Sequence, residues 1–187
     1  MKKVANMRTT NTTKAIHDAF VEMICQKNTD EINVKALAER AGIHRKTFYL
    51  HYTCIEALFK DELNMLANAY FAEVAKLPIP FNYYDLTRVF FEFASKTEYT
   101  ELLYCNSKYS EFASKLMITT TQHNRAVNNP YSEYSLEMQN IINAFVVNAS
   151  TVAFRQWVLD NKKVPMEEVI EIVGKLLENG VSSIAKR

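Results

Sequence analysis

Glycine and proline are scarce: the chain of 187 residues holds three glycines and four prolines, where an ordinary globular protein draws about 12% of its residues from the two. Loops that cradle phosphate and the strained turns that present nucleophiles need glycine at fixed places. Gly42, Gly174 and Gly180 cannot write a dinucleotide fingerprint, a P-loop or a nucleophile elbow. The three cysteines, Cys25, Cys54 and Cys105, are odd in number, far apart and without a CxxC or HxxxH companion. Neither a disulfide framework nor a zinc site is indicated, and no cofactor motif is present. Long apolar runs are also missing. No stretch approaches 18 uncharged apolar residues, and the opening MKKVANMRTTNTTK has no apolar core. The expectation is a cytoplasmic chain that meets no membrane.

What remains is 48% hydrophobic, 12% aromatic and 23% charged, the composition of a folded chain rather than a disordered one. With so little glycine and proline the chain is expected to be mostly helical, and the segments read below make the fold class all-α with about nine helices. The net charge of +1 conceals an asymmetry. Residues 1–52 carry nine Lys/Arg against five Asp/Glu, and the rest thirteen against sixteen, so a basic head (+4) precedes an acidic body (−3). A polyanionic partner for the head follows from that split.

Helical periodicity starts near Thr13, with Ile16, Ala19, Phe20, Met23 and Ile24 on one face. A short helix over 34–41 follows, with Asn33 as its N-cap and Leu37 and Ala38 facing inward, and Gly42 ends it. A second short helix spans 44–52. A longer amphipathic one over 55–76 stops at Pro78 and Pro80. Helices are expected over 84–95, 99–105, 110–125 and 132–160. The last begins at Pro165, carries Glu167 and Glu168 at its positive end and is capped by Gly180. No catalytic setting of His, Cys or Ser stands out, so the chain is not read as an enzyme.

The segment from Asn33 to Phe59 has the physics of a helix-turn-helix. Ala41 and Gly42 permit a sharp turn, Ile43 plugs it, Phe48 and Tyr52 point inward, and His44, Arg45, Lys46, Thr47, Tyr49 and His51 face outward. Arg and Lys donate to guanine edges, whereas hydroxyls and imidazoles suit phosphate. Here the sequence resembles the TetR/AcrR family of transcriptional regulators. The family pattern of A-G-[VI], a polar residue, two variable residues and T-[FL]-Y-x-[HY]-F reads Ala41-Gly42-Ile43-His44-Arg45-Lys46-Thr47-Phe48-Tyr49-Leu50-His51-Tyr52. Glu56, Ala57 and Leu58 continue it.

The resemblance implies an N-terminal three-helix DNA-binding domain over 8–68 and a C-terminal helical domain over 69–187 that binds an effector and dimerises. It makes Thr47, Tyr49 and His51 phosphate contacts and Arg45, Lys46 and neighbouring His44 readers of bases. Two departures are visible: Cys54-Ile55 replaces the usual Ser-Lys opening of the fourth helix, with Thr53 as a substitute cap and Lys60 as a later cation, and His44 replaces a small cap. Lys2, Lys3 and Arg8 form a basic arm suited to the backbone or minor groove. The closing block resembles the last two helices of such regulators, which pair across a dimer. Phe145, Ala149, Val152, Trp157, Val169, Ile172, Val173 and Leu176 are then the dimerisation residues of a homodimer on a pseudo-palindromic operator of double-stranded DNA. Among the aromatics of the body, Tyr70, Phe90, Phe93, Tyr104, Tyr109 and Phe112 are candidates to line a pocket for an unknown small-molecule effector. The function implied is a repressor released by that effector. The alternative is a co-activator or architectural DNA-binding protein governed by a protein partner.

Overall fold

A computed structural model describes residues 2–26, 32–78, 81–105, 114–115, 117–119, 121–122, 129 and 131–181. The backbone divides into two compact units, Met1–Met65 and Leu66–Arg187. All regular structure among the described residues is helical.

The first unit contains α1 (Lys2–Cys25), α2 (Val34–Arg40), α3 (Arg45–Tyr49) and the opening turns of α4 (Ile55–Val74). α1 begins eleven residues before Thr13, because the polar run ahead of Thr13 has no apolar period to announce a helix. Lys2, Lys3 and Arg8 thus lie along a helix rather than in an extended arm. The apolar face read from the sequence is the buried one. Ile16, Ala19, Phe20, Met23 and Ile24 are buried, as are Leu37 and Ala38 of α2, Phe48 of α3, and Leu58, Phe59 and Leu63 of α4. The rings of Phe20 and Phe59 lie 6.1 Å apart.

The second unit is built on α5 (Tyr83–Ala94), α6 (Glu98–Cys105), α7 (Leu136–Leu159) and α8 (Met166–Val181), with further helical residues between 114 and 122. Caps set two of the starts. The Asn82 side chain accepts from the Asp85 amide at 2.8 Å, and Ser135 accepts from the Met138 amide at 3.3 Å. α7 therefore starts at Leu136 and not at Ser132, whose neighbours 131–134 form a turn. The interior is aromatic: Phe154 and Trp157 of α7 pack on Phe90 and Phe91 of α5, and Tyr104 of α6 lies edge-on to Phe90. The α7–α8 turn is made without glycine. Asn161 and Lys162 take left-handed backbone at φ 55° and 54°, while the Trp157 indole donates to the Val164 carbonyl at 2.7 Å.

The two glycines of α8 play opposite parts. A Cβ on Gly174 would lie 3.0 Å from Cδ2 and 3.1 Å from Cα of Tyr84, so α5 and α8 cross closely there. Gly180 is not a cap: it is helical, α8 runs on to Val181, and a Cβ would meet nothing within 4 Å. Gly174→Ala is expected to cost about 1–3 kcal/mol by overpacking. Gly180→Ala is expected to gain up to about 1 kcal/mol from lost unfolded-state freedom. Urea unfolding of both variants checks the pair, and similar shifts would contradict the crossing.

Candidate nucleic-acid interface

The Asn33 side chain accepts from the amides of Lys35 and Ala36, both at 3.0 Å, and fixes the start of α2. Its end is closed by Ala41 N–H to the Leu37 carbonyl at 2.9 Å and Ile43 N–H to the Ala38 carbonyl at 3.0 Å. These two bonds bracket Gly42, whose φ of +66° is the left-handed conformation that a side chain disfavours. The turn is therefore tight, and α3 follows within three residues.

His44 stands at the N-cap of α3 with extended backbone and no side-chain capping bond. Its carbonyl accepts from Thr47 N–H at 2.8 Å and Phe48 N–H at 3.2 Å, so the backbone alone opens the helix. Five residues are too few to hold a helix unaided. Phe48, fully buried, anchors it, with ring centroids 5.6 Å from Tyr49 and 5.9 Å from Tyr52. That anchor turns His44, Arg45, Lys46 and Tyr49 to solvent, with Thr47 half-buried. Neither Arg45 nor Lys46 makes an ion pair among the described residues. His51 departs from the outward reading: it is half-buried, and its Nδ1 lies 3.2 Å from Thr13 Oγ1 of α1. Tyr52 is half-buried too, its hydroxyl bonded to His17 and Asp61. The Thr53 hydroxyl does not cap α4 and donates instead to Cys54 Sγ at 3.8 Å; Lys60 is exposed. Leu50, which the sequence reading passed over, is the most exposed large apolar side chain of the molecule's described residues, at 78%.

The remaining candidate residues lie in the second unit. Tyr70, Phe90, Phe93 and Tyr104 are buried and come together: Tyr70 lies 6.1 Å from Phe90 and 5.7 Å from Phe93, and Phe90 lies 5.4 Å from Tyr104. Burial raises both tyrosine hydroxyls above their ordinary pKa, Tyr104 to about 12. Tyr109 and Phe112 lie outside the described residues. The eight residues expected at a dimer interface divide. Phe145, Val152, Ile172 and Leu176 are exposed, whereas Ala149 and Val169 pack partly against a core of Tyr131, Ile142, Val173 and Leu177. Val173 and Trp157 face the chain's own interior, because the wide apolar face of α7 and α8 serves two surfaces at once. Exposed Met138 and Ile141 extend the outer row. Cys105 has its thiol pushed up to about 11 by burial and by the Glu101 carboxylate, the reverse of what a reactive thiolate needs.

Among the described residues no group of three or more His, Cys, Asp or Glu is placed to hold a metal ion, and no helix is long and apolar enough to cross a membrane. No family model matches the chain, and no curated protein matches it in sequence. Its fold has relatives among solved structures. The fatty acid degradation regulator FadR from Bacillus halodurans aligns with a TM-score of 0.62 at 14% identity, over 91% of this chain and 96% of that one. The transcriptional regulator FadR from Bacillus subtilis, solved in complex with stearoyl-CoA, aligns with a TM-score of 0.61 at 14% identity, over 88% and 96%. A TetR-like transcriptional regulator from Rhodococcus sp. RHA1 aligns with a TM-score of 0.58 at 15% identity, over 91% and 96%. At these identities the likeness speaks for architecture alone. The chain has the all-α fold of a TetR-like transcriptional regulator, the fold implied by the resemblance of its segment from Asn33 to Phe59.

Proposed function

We propose that this protein is a sequence-specific DNA-binding transcriptional regulator that acts as a homodimer and releases its operator when a small molecule occupies the second unit. The observation that carries the reading is α3 itself. A five-residue helix set by a glycine turn and pinned by Phe48 presents Arg45 and Lys46 outward, with no ion pair among the described residues. Arg45 and Lys46 read base edges, His44 lies beside them, and Thr47 and Tyr49 meet phosphate. The exposed apolar row of Phe145 and Val152 on α7 and Ile172 and Leu176 on α8 supports pairing of two copies, since such surface is costly to leave to water. A two-fold dimer sets two copies of α3 about 34–36 Å apart on a pseudo-palindrome. Complex formation of the Bacillus subtilis relative with stearoyl-CoA, together with the buried aromatics Tyr70, Phe90, Phe93 and Tyr104, supports an effector with a long apolar part. Its binding lowers operator affinity, and a tenfold loss needs only about 1.4 kcal/mol of coupling.

The test is selection of bound duplexes from a randomised library, followed by affinity measurement on the selected sequence. Arg45→Ala should cost about 1–3 kcal/mol and relax preference at one position of each half-site. Tyr49→Phe should weaken all sequences alike, and affinity should fall steeply with salt. Equal binding of random and selected duplexes would overturn sequence-specific recognition. Affinity unmoved by any acyl-CoA or other metabolite would overturn the effector half and favour control by a protein partner.

A further inference from the structure

The polar residues beneath α3 form a network that neither composition nor periodicity announces. His17 of α1 has a side chain only 14% exposed, set between Glu62 and Tyr52. Its Nδ1 meets Glu62 Oε1, and its Nε2 lies 2.7 Å from the Tyr52 hydroxyl. Tyr52 donates its own proton to Asp61 Oδ2 at 2.8 Å. A hydroxyl has one proton, so a Tyr52 that donates to Asp61 must accept from His17 Nε2. An ionised Glu62 can only accept, so Nδ1 must donate as well. All three bonds therefore stand together only while the His17–Glu62 pair holds its extra proton. Without it one bond is lost: with the remaining proton on Nδ1, held there by the Glu62 carboxylate, Nε2 becomes an acceptor and Tyr52 must leave Asp61 or His17, whereas a proton on Nε2 would give up Glu62 instead.

The network reaches the DNA-facing helix directly. Tyr52 N–H donates to the Phe48 carbonyl at 2.9 Å, so the residue gripped by His17 also closes the last turn after α3. In the TetR/AcrR pattern this position is Phe, and only the tyrosine found here can take part in such a network. We propose that His17 is a positioning residue for recognition: by gripping Tyr52 between α1 and α4 it fixes the orientation of α3, so that operator affinity depends on the proton His17 carries. The proposal rests on the DNA-binding reading above.

The groups that face the ring among the described residues are Asp18 of α1, Asp61 and Glu62 of α4, and Tyr52 after α3. The hydrogen bond to Glu62 raises the His17 pKa above the ordinary histidine value; burial opposes it, and the charges of Glu62, Asp61 and Asp18 add to the rise. A group raised in the folded state contributes in full below its unfolded value, and that contribution is lost as pH climbs through the folded one. Affinity therefore falls as pH rises.

The experiment uses the full chain and the duplex that it selects from a randomised library. The ring signals of the four histidines are followed by NMR from about pH 6 to 9, assigned with His→Gln variants, together with the amides of residues 45–52. The expected result is a His17 midpoint above the ordinary value of about 6.5, shared by those amides. Wild-type affinity should drop about fivefold more across that range than affinity of His17→Gln or Tyr52→Phe, both of which keep His44 and His51. A His17 midpoint at or below the ordinary value, amides that stay still while His17 titrates, or a wild-type pH slope in His17→Gln would each overturn the proposal. Failure to select any duplex sinks the DNA reading and with it the claim about operator affinity. The NMR titration of the wild type is read without DNA, so it still separates a failed network from a failed function.

Discussion

Phe154→Ala is expected to lower the unfolding free energy of the second unit by about 3–5 kcal/mol. The side chain has no exposed surface and lies at the centre of the aromatic core, with ring centroids 5.2 Å from Phe91, 5.6 Å from Phe90 and 5.9 Å from Trp157. Truncation removes its burial and leaves a cavity walled by three stiff rings that cannot collapse into it. The edge-on contacts with Phe90 and Phe91 add about 0.5–1.5 kcal/mol per pair beyond burial. A domain's whole stability is about 5–15 kcal/mol, so the loss is a large part of it. Trp157, the one tryptophan, touches Phe154 and reports the transition by fluorescence in urea. A change under about 1 kcal/mol would mean that α5 and α7 are not packed through this ring.

Phe48→Ala carries the second large effect, also about 3–5 kcal/mol, here on the first unit. Phe48 is the buried residue of α3, and a helix of five residues has no stability of its own without that anchor. Losing it frees Arg45, Lys46 and Tyr49 from a common face, so DNA binding should vanish while the second unit stays folded. Arg45→Ala, an exposed substitution, should weaken DNA binding with stability unchanged within about 0.5 kcal/mol. Amide hydrogen exchange over residues 45–49 distinguishes the two. Fast exchange is expected in Phe48→Ala and wild-type protection in Arg45→Ala. Protection that persists in Phe48→Ala would show that something other than Phe48 holds α3.

These outcomes depend on features that differ in how plainly the sequence displays them. The turn was legible because its chemistry is local: Asn33 caps through its own side chain, and Gly42 supplies a positive φ that few residues tolerate. The buried face of α1 was legible as spacing, since Ile16, Phe20 and Met23 recur every three or four residues. Its first eleven residues were not, because a polar helix has no apolar period. Gly180 misled, since glycine at the end of a pattern serves equally as a cap or as a weak helical residue, and only the backbone of α8 decides. Trp157 misled for a different reason. α7 is apolar on more than one face, and periodicity cannot say that Phe154 and Trp157 look inward while Phe145 and Val152 look out. Most hidden was the pairing of His17 with Glu62 and Tyr52, which joins residues 45 and 35 positions apart. The hydroxyl that Tyr52 carries inward, where the family pattern ends in Phe, was the available hint.

The central claim is that α3 reads DNA sequence. Its most direct test compares the duplexes that the wild type and Arg45→Ala enrich from the same randomised library. The account predicts an inverted repeat with half-sites one helical turn apart, about 34–36 Å, for the wild type. For Arg45→Ala it predicts the same spacing with one base position in each half-site relaxed. An identical enriched sequence from both chains, or no enrichment from either, would contradict it.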